Sequence, residues 1–320
     1  MKPLMLVLDD WEGRIAASSA WNQIEDHVTI EYATKPLEEM PEKEIANVTF
    51  LMAIRERTPL IAKVFDLLPN LKLILQTGGH AYHIDLKAAS ERGIQIALGR
   101  RAKAPVLSVP ELTIAMMLNL FHLIPQAQIE MRKGGWPRSL GRTLNNRRLG
   151  ILGLGRHGSK VAEIAKSAFQ MDVVAWERSK NEQASNVGYP RLPLDELLKT
   201  SDVVSVHLRL SPESAGLLTR KKLELFKKGS VLINTSRGAI IDETALVSIL
   251  KKGPIAGAGL DVFETEPLDK NSPLRNLDNV MLTPHIGWTV EEVFEEFAQI
   301  ASMQVLQYLN GTLPSSEIIK

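Results

Sequence analysis

The stretch Leu149-Gly150-Ile151-Leu152-Gly153-Leu154-Gly155-Arg156-His157-Gly158 decides the fold of this chain. An apolar strand turns through Gly153-x-Gly155-x-x-Gly158 into a helix that carries Val161, Ile164, Ala165 and Ala168. This is the dinucleotide-binding fingerprint in the strand-turn-helix setting it requires. The first glycine permits the tight turn, the second lets backbone approach a pyrophosphate, and the third lets helix pack on strand. The helix N-terminus faces the phosphate charge. A nucleotide domain that opens near residue 150 leaves a large N-terminal region for another purpose.

Outward from this point, strand-like and helical runs alternate along the whole chain, which predicts parallel α/β architecture. Apolar runs at 4–9, 48–54 and 71–76 read as buried parallel strands, with helical spacing at 60–68 and 86–93. Residues 102–110, with two prolines, read as a hinge before a helix over 110–124. After the fingerprint come strands at 173–176, 203–208, 231–234, 256–262 and 280–282, with helices at 194–200, 221–226 and 243–251 between them. The helix at 290–309 has no strand left in its own half, so it is expected to return to the N-terminal region. The expected architecture is two Rossmann-like, doubly wound domains with parallel sheets and a cleft between them. Residues 1–102 plus 290–320 form a discontinuous, flavodoxin-like substrate domain, and 103–289 the dinucleotide domain.

Composition sets the outer limits. The 320 residues suit two domains, with 44% hydrophobic and 23% charged side chains as in ordinary globular proteins. A net charge of +1 makes no electrostatic case for nucleic acid or an anionic membrane. No apolar run reads as a membrane span, and the N-terminus reads as a buried strand, not a signal peptide. Zero cysteines exclude disulfides and thiolate metal sites, and no metal is expected; a reducing cytoplasm fits.

In open parallel sheets, ligands sit beyond the carboxyl ends of strands. Glu177 follows the strand at 173–176, about 20 residues past the last fingerprint glycine, where an acid holds the ribose hydroxyls. Asn234-Thr235-Ser236-Arg237-Gly238, Asp261-Val262-Phe263-Glu264-Thr265-Glu266-Pro267 and Thr283-Pro284-His285-Ile286-Gly287 end the next strands. Three consecutive strands thus deliver an arginine, an acid cluster and a histidine to one edge.

With the fingerprint ahead of them, these motifs resemble the D-isomer-specific 2-hydroxyacid dehydrogenases, whose members include phosphoglycerate dehydrogenase and glyoxylate/hydroxypyruvate reductase. The likeness covers nearly the whole chain, including Val109-Pro110-Glu111 and the loop with Trp136. It implies hydride transfer between NAD and a small D-2-hydroxy or 2-oxo acid. By the resemblance, Arg237 pairs with the substrate carboxylate, His285 exchanges the proton at the substrate oxygen, and Glu266 is the histidine's partner. The physics agrees: a guanidinium fork matches a carboxylate, and an adjacent carboxylate favours the imidazolium. The local sequence does not choose between Glu264 and Glu266; the family pattern does.

The resemblance implies cofactor contacts from Gly153, Gly155, Arg156, His157, Gly158, Glu177, Arg178, His207, Thr235, Ser236, Asp261 and Gly287, with Asp261 facing the nicotinamide amide. It implies substrate contacts from Arg55, Thr77, Gly78, Gly79 and His80 together with Arg237. Glu177 favours NAD by repelling a 2′-phosphate, while Arg178 and Lys180 leave NADP open. Gln76 stands where phosphoglycerate dehydrogenases commonly carry arginine, and His80 replaces a glycine. A homodimer is also implied. The alternative is a dinucleotide-responsive scaffold, since C-terminal-binding-protein corepressors keep this fold, but this chain shows no long disordered tail.

Overall fold

The computed structural model describes residues 2–177 and 188–319. The chain divides into two compact units, one of Met1–Ala104 with Val290–Lys320 and one of Pro105–Thr289. In chain order the first unit holds β1 (Leu4–Val7), β2 (Thr29–Tyr32), α1 (Glu42–Ile45), β3 (Val48–Ala53) and α2 (Ala62–Asp66). It continues through β4 (Leu73–Gln76), α3 (Leu86–Glu91) and β5 (Gln95–Leu98). The second unit begins with α4 (Pro105–His122), α5 (Ile124–Arg132), β6 (Arg148–Leu152), α6 (Arg156–Phe169) and β7 (Asp172–Trp176). Then come α7 (Leu194–Thr200), β8 (Val203–Val206), α8 (Arg220–Leu223), β9 (Ser230–Asn234), α9 (Glu243–Lys252), β10 (Ile255–Leu260) and β11 (Val280–Leu282). α10 (Glu291–Leu309) belongs to the first unit.

The first unit is a five-stranded parallel sheet in the order β2-β1-β3-β4-β5. That is the flavodoxin-type doubly wound order, which reverses direction between β1 and β3. Its central strands read Leu-Met-Leu-Val, Val-Thr-Phe-Leu-Met-Ala and Leu-Ile-Leu-Gln, nearly all buried, as strands covered on both faces must be. β2 and β5 are absent from the sequence reading for physical reasons. β2 (Thr-Ile-Glu-Tyr) is a half-exposed edge, and β5 (Gln-Ile-Ala-Leu) is four residues starting with an exposed glutamine. α10 packs in this unit through Val293, Phe294, Phe297, Ala301 and Val305, and Tyr308 sets its edge against Phe50 at 5.5 Å between ring centroids. Its Glu296 accepts hydrogen bonds from the Lys103 and Ala104 amides at 2.6 and 2.9 Å. Arg101 is neutralised by Glu317 at 2.7 Å, so the basic run at 100–103 is partly spent on the C-terminal segment.

The second unit is a six-stranded parallel sheet in the order β11-β10-β9-β8-β6-β7. Strand order reverses between β6 and β8, so the crevice of this sheet opens at the ends of those strands. α6 buries Val161, Ala162 and Ala165 on one side and exposes the Lys160–Glu163 pair on the other. It stops at Gln170, whose left-handed backbone (φ 53°) sends its amide to the Ala165 carbonyl.

Two expectations are corrected. The hinge read over 102–110 is helical from Pro105, because proline at the first helical position forfeits no hydrogen bond and has the right φ. α4, at 18 residues, is also long and apolar enough by composition to cross a membrane, contrary to the sequence reading that no run is. Half of it is buried, with Met116, Met117, Leu120 and Phe121 in the core beside β6 and β9. α4 is therefore built as a core helix of its unit.

Candidate active site

At the end of β6 the backbone takes φ 98° at Gly153, where the Gly153 amide still bonds the Trp176 carbonyl at 2.9 Å. A Cβ at Gly153 would lie 3.0 Å from the His207 carbonyl oxygen across the switch point. A Cβ at Gly158 would lie 2.0 Å from the Gly153 carbonyl oxygen, so only glycine lets α6 close on β6. Gly155 is different, since a Cβ there meets nothing within 4 Å and would project into open space. Gly155 caps α6 without any side-chain hydrogen bond, which leaves the helix N–H groups for an anion. These residues fit a dinucleotide pyrophosphate.

The two glycines predict opposite outcomes. Gly155→Ala should keep the wild-type thermal midpoint and weaken NADH binding about tenfold or more, through loss of charge-assisted backbone hydrogen bonds. Gly158→Ala should destabilise the second unit by ~1–3 kcal/mol through overpacking. Calorimetry and NADH fluorescence titration check both.

The other cofactor-side residues are arranged around the same edge. Glu177 follows β7 and pairs with Arg191 at 2.6 Å. Arg178 and Lys180 lie outside the described residues. Arg156 and His157 open α6. His207 follows β8 and shares a 2.8 Å hydrogen bond between its Nε2 and Ser205 Oγ. Burial, with a lesser contribution from His157, pushes the His207 imidazole down to about 3, so it is uncharged at neutral pH.

The turn after β9 is built around Asn234, a buried residue the sequence reading passed over. Its amide donates to the Arg237 carbonyl at 3.0 Å and its Oδ1 accepts from the Ser236 amide at 3.0 Å. Ser236 Oγ donates to the Leu208 carbonyl, and Thr235 Oγ1 lies 2.9 Å from Thr113 Oγ1. Both hydroxyls are thus engaged in holding the turn. Arg237 Nη1 donates to the Ser236 carbonyl at 2.7 Å. An asparagine at a strand end ahead of Ser and Gly was the available signal for this bracing.

β10 and β11 deliver the acid and the histidine. His285 Nδ1 lies 2.7 Å from Glu266 Oε2, and Glu266 Oε1 accepts the Phe263 amide at 3.0 Å. Glu264 instead sits in a turn where its amide donates to Glu243. Burial pushes the Glu266 carboxyl up. The hydrogen bond and charge of His285, the Phe263 amide and the Arg237 guanidinium outweigh that and hold it below the usual carboxylate range. The structure therefore brings Arg237, Glu266 and His285 together.

Asp261 is the group that sets the histidine loop. Its Oδ1 accepts from Thr283 Oγ1 at 2.5 Å and the Ile286 amide at 2.8 Å, and its Oδ2 from the Gly287 amide at 2.9 Å. The His285 amide donates to the Asp261 carbonyl at 2.8 Å, and His285 itself is left-handed at φ 56°. Burial raises the Asp261 carboxyl above its ordinary range in spite of these donors and the His285 charge. Both Asp261 oxygens thus accept hydrogen bonds from the loop that carries His285 and Gly287.

In the first unit, the turn after β4 carries Thr77, Gly78, Gly79 and His80, and the turn after β3 carries Arg55. Thr77 Oγ1 accepts the Arg55 amide at 2.7 Å. The His80 ring stacks on Tyr82 at 5.1 Å. Arg57, which the sequence reading did not single out, is bidentate to Glu12 at 2.5 and 2.8 Å and lies over Trp11. Among the described residues no cluster of three or more His, Cys, Asp or Glu could hold a metal ion.

Comparison with known proteins places this geometry. Residues 114–287, more than half of the chain, match the family model of the D-isomer specific 2-hydroxyacid dehydrogenase NAD binding domain. The chain is 34% identical to the glyoxylate reductase of Thermococcus litoralis, over 84% of this chain and 86% of that protein. It is 34% identical to the D-3-phosphoglycerate dehydrogenase of Methanocaldococcus jannaschii, over 90% of this chain but only 57% of that longer protein. The structure of Aquifex aeolicus D-lactate dehydrogenase complexed with NAD and lactic acid superposes with a TM-score of 0.83 at 28% identity, over 99% of this chain and 98% of that one. The chain belongs to the D-isomer specific 2-hydroxyacid dehydrogenase family and carries that family's NAD-binding domain.

Proposed function

We propose that this protein is an NAD-dependent oxidoreductase interconverting a small D-2-hydroxy acid and its 2-oxo acid, of glyoxylate, hydroxypyruvate or phosphoglycerate type. The observation that carries the reading is the 2.7 Å His285–Glu266 pair, beside Arg237, at the carboxyl edge of an NAD-binding sheet. Arg237 binds the substrate carboxylate and draws electron density from the 2-oxo group. Glu266 engages Nδ1 of His285, which leaves Nε2 as the nitrogen that gives its proton to the oxo oxygen during reduction and takes it back during oxidation. The nicotinamide, when bound, supplies or accepts the hydride at the substrate carbon. Gly153, Gly155 and Gly158 with Arg156 and His157 cradle the pyrophosphate. Glu177 holds the ribose and disfavours a 2′-phosphate, and His207, Thr235, Ser236, Asp261 and Gly287 shape the nicotinamide end. Arg55, Thr77, Gly78, Gly79 and His80 are the substrate-binding groups assigned to the first unit.

Purified protein with NADH and a panel of glyoxylate, hydroxypyruvate, pyruvate, 2-oxobutyrate and phosphohydroxypyruvate tests the reading. Oxidation of NADH by one or more of them supports it. Cofactor binding with no turnover on any would overturn it in favour of a scaffold.

Glu266→Gln separates the acid's role from mere packing. The negative carboxylate favours the imidazolium, and the neutral amide does not. In reduction His285 gives up a proton to the substrate oxygen, so the rate has an alkaline limb. In Glu266→Gln that alkaline limb should move to lower pH, read from kcat/KM for the oxo acid across pH 5–9. An unmoved limb would remove Glu266 from this role.

We further propose a cytoplasmic homodimer with no nucleic-acid or membrane partner. Support comes from the near-neutral charge and from exposed apolar side chains on the second unit, Ile129, Met131, Trp136 and Leu140. Sedimentation at twice 35.5 kDa and cell fractionation check these points.

A further inference from the structure

The first unit's sheet reverses direction between β1 and β3, and its crevice opens where those strands end. The residues that follow them at this edge, Asp9 and Arg55, both have left-handed backbones, at φ 58° and 56°. Such conformations cost energy in residues other than glycine and persist only when their surroundings enforce them.

The enforcement at Arg55 comes from two adjoining residues at the end of β4. Thr77 Oγ1 accepts the Arg55 N–H at 2.7 Å, and Gln76 Nε2 donates to the Arg55 carbonyl at 3.2 Å. The same Gln76 amide donates to the Thr77 carbonyl at 2.9 Å, so one side chain ties the β3 turn to the β4 turn. Gln76 is only 1% exposed, and its Oε1 is buried without a hydrogen-bond partner. A buried amide with an unmet acceptor is a costly way to fill core volume. Methionine would fill nearly the same space at lower cost. What the amide supplies is the grip on Arg55.

The consequence lies at Gly78, φ 89°. A Cβ there would stand 2.0 Å from Arg55 Nη1, so the guanidinium rests directly against the bare glycine turn. Glu56 Oε2 lies 3.6 Å from its Nε.

We propose that Gln76 is the positioning residue for Arg55, setting the guanidinium against Gly78 and through it the affinity for the oxo acid, without touching substrate itself. This rests on the functional reading above in assigning Arg55 to substrate. Gln76→Met and Gln76→Leu each remove both the donor and the acceptor while keeping an apolar side chain of similar volume. In both, KM for the oxo acid should rise about tenfold, the loss expected for one hydrogen-bonded placement. The kcat should stay within roughly twofold and KM for NADH should not change. A Gln76 that merely fills the core would instead lower the thermal midpoint and leave the KM for the oxo acid unmoved, and that result would overturn the proposal. Hydrogen exchange of the amides at 53–58 gives a readout that needs no turnover. In Gln76→Met the Arg55 amide should exchange faster while the β3 interior and the second unit stay at wild-type rates. Unchanged exchange at Arg55 would overturn the proposal even if KM moves. If the wild-type protein reduces no oxo acid, the functional reading fails, while the exchange experiment still decides whether Gln76 holds Arg55.

Discussion

His285→Asn should lower kcat for oxo-acid reduction by ~10²–10⁴-fold, the usual yield of a positioned general acid, with NADH affinity and thermal midpoint close to wild type. Asparagine suits the site sterically and tolerates the left-handed backbone that His285 adopts at φ 56°. The loop is held by Asp261 through the amides of Ile286 and Gly287 and by the main chain of His285, none of which the substitution removes. The change is therefore confined to the proton. Because Glu266 holds Nδ1 at 2.7 Å, the lost function belongs to the opposite nitrogen. Rates should also lose the alkaline limb attributed to the histidine, which a steric defect would leave in place. Single-turnover reduction with saturating NADH measures both quantities, and a kcat within tenfold of wild type would remove His285 from acid catalysis.

Arg237→Lys should lower kcat/KM for the oxo acid by ~10²–10³-fold, as expected when a pair of charge-assisted hydrogen bonds worth ~1.5–3 kcal/mol each is reduced to a single point charge. The positive charge is retained, so the loss isolates geometry from field. The Asn234 side chain braces the Arg237 carbonyl and the Ser236 amide, so the turn keeps these two ties when the guanidinium's own bond to the Ser236 carbonyl is altered. Arg237 also helps hold the Glu266 carboxyl below its usual range, and lysine should preserve part of that influence. The pH profile of Arg237→Lys is accordingly expected to shift less than that of Glu266→Gln. Steady-state kinetics on one oxo acid at several pH values decide the matter, and an equal loss in NADH affinity would point to collapse of the turn instead.

What the sequence disclosed followed the physics of burial. The second unit was legible because its strands are unbroken apolar runs whose ends carry the polar chemistry, as in Val231-Leu232-Ile233-Asn234 followed by Thr-Ser-Arg-Gly. The fingerprint likewise combines steric demand and exposure, with Gly158 excluded by a carbonyl and Gly155 open to space. The first unit was harder to read. β2 exposes alternate residues at a sheet edge, so nothing in Thr-Ile-Glu-Tyr separates it from a loop. Pairwise relations were invisible as well. Glu264 and Glu266 are chemically equal in the sequence, and only the fold turns the Glu266 carboxylate toward His285, while Glu264 meets α9 through its backbone amide. Asp261 carries no local mark that its oxygens are spent on its own loop, and Gln76 none that it grips a residue 21 positions earlier.

The division of the chain bears on its synthesis. Pro105–Thr289 is one continuous segment, whereas the unit that begins the chain is completed only by Val290–Lys320. As the polypeptide leaves the ribosome, the nucleotide-binding half has its full sequence before the half that starts the chain does. Until α10 emerges, the apolar surface met by Phe294, Phe297 and Val305, and the Lys103 and Ala104 amides that Glu296 receives, have no cover. The nascent first unit is then a set of parallel strands with an open flank, the kind of intermediate on which chaperones act. The order in which the two units are completed thus runs opposite to the order in which they begin, with α10 finishing what β1 began.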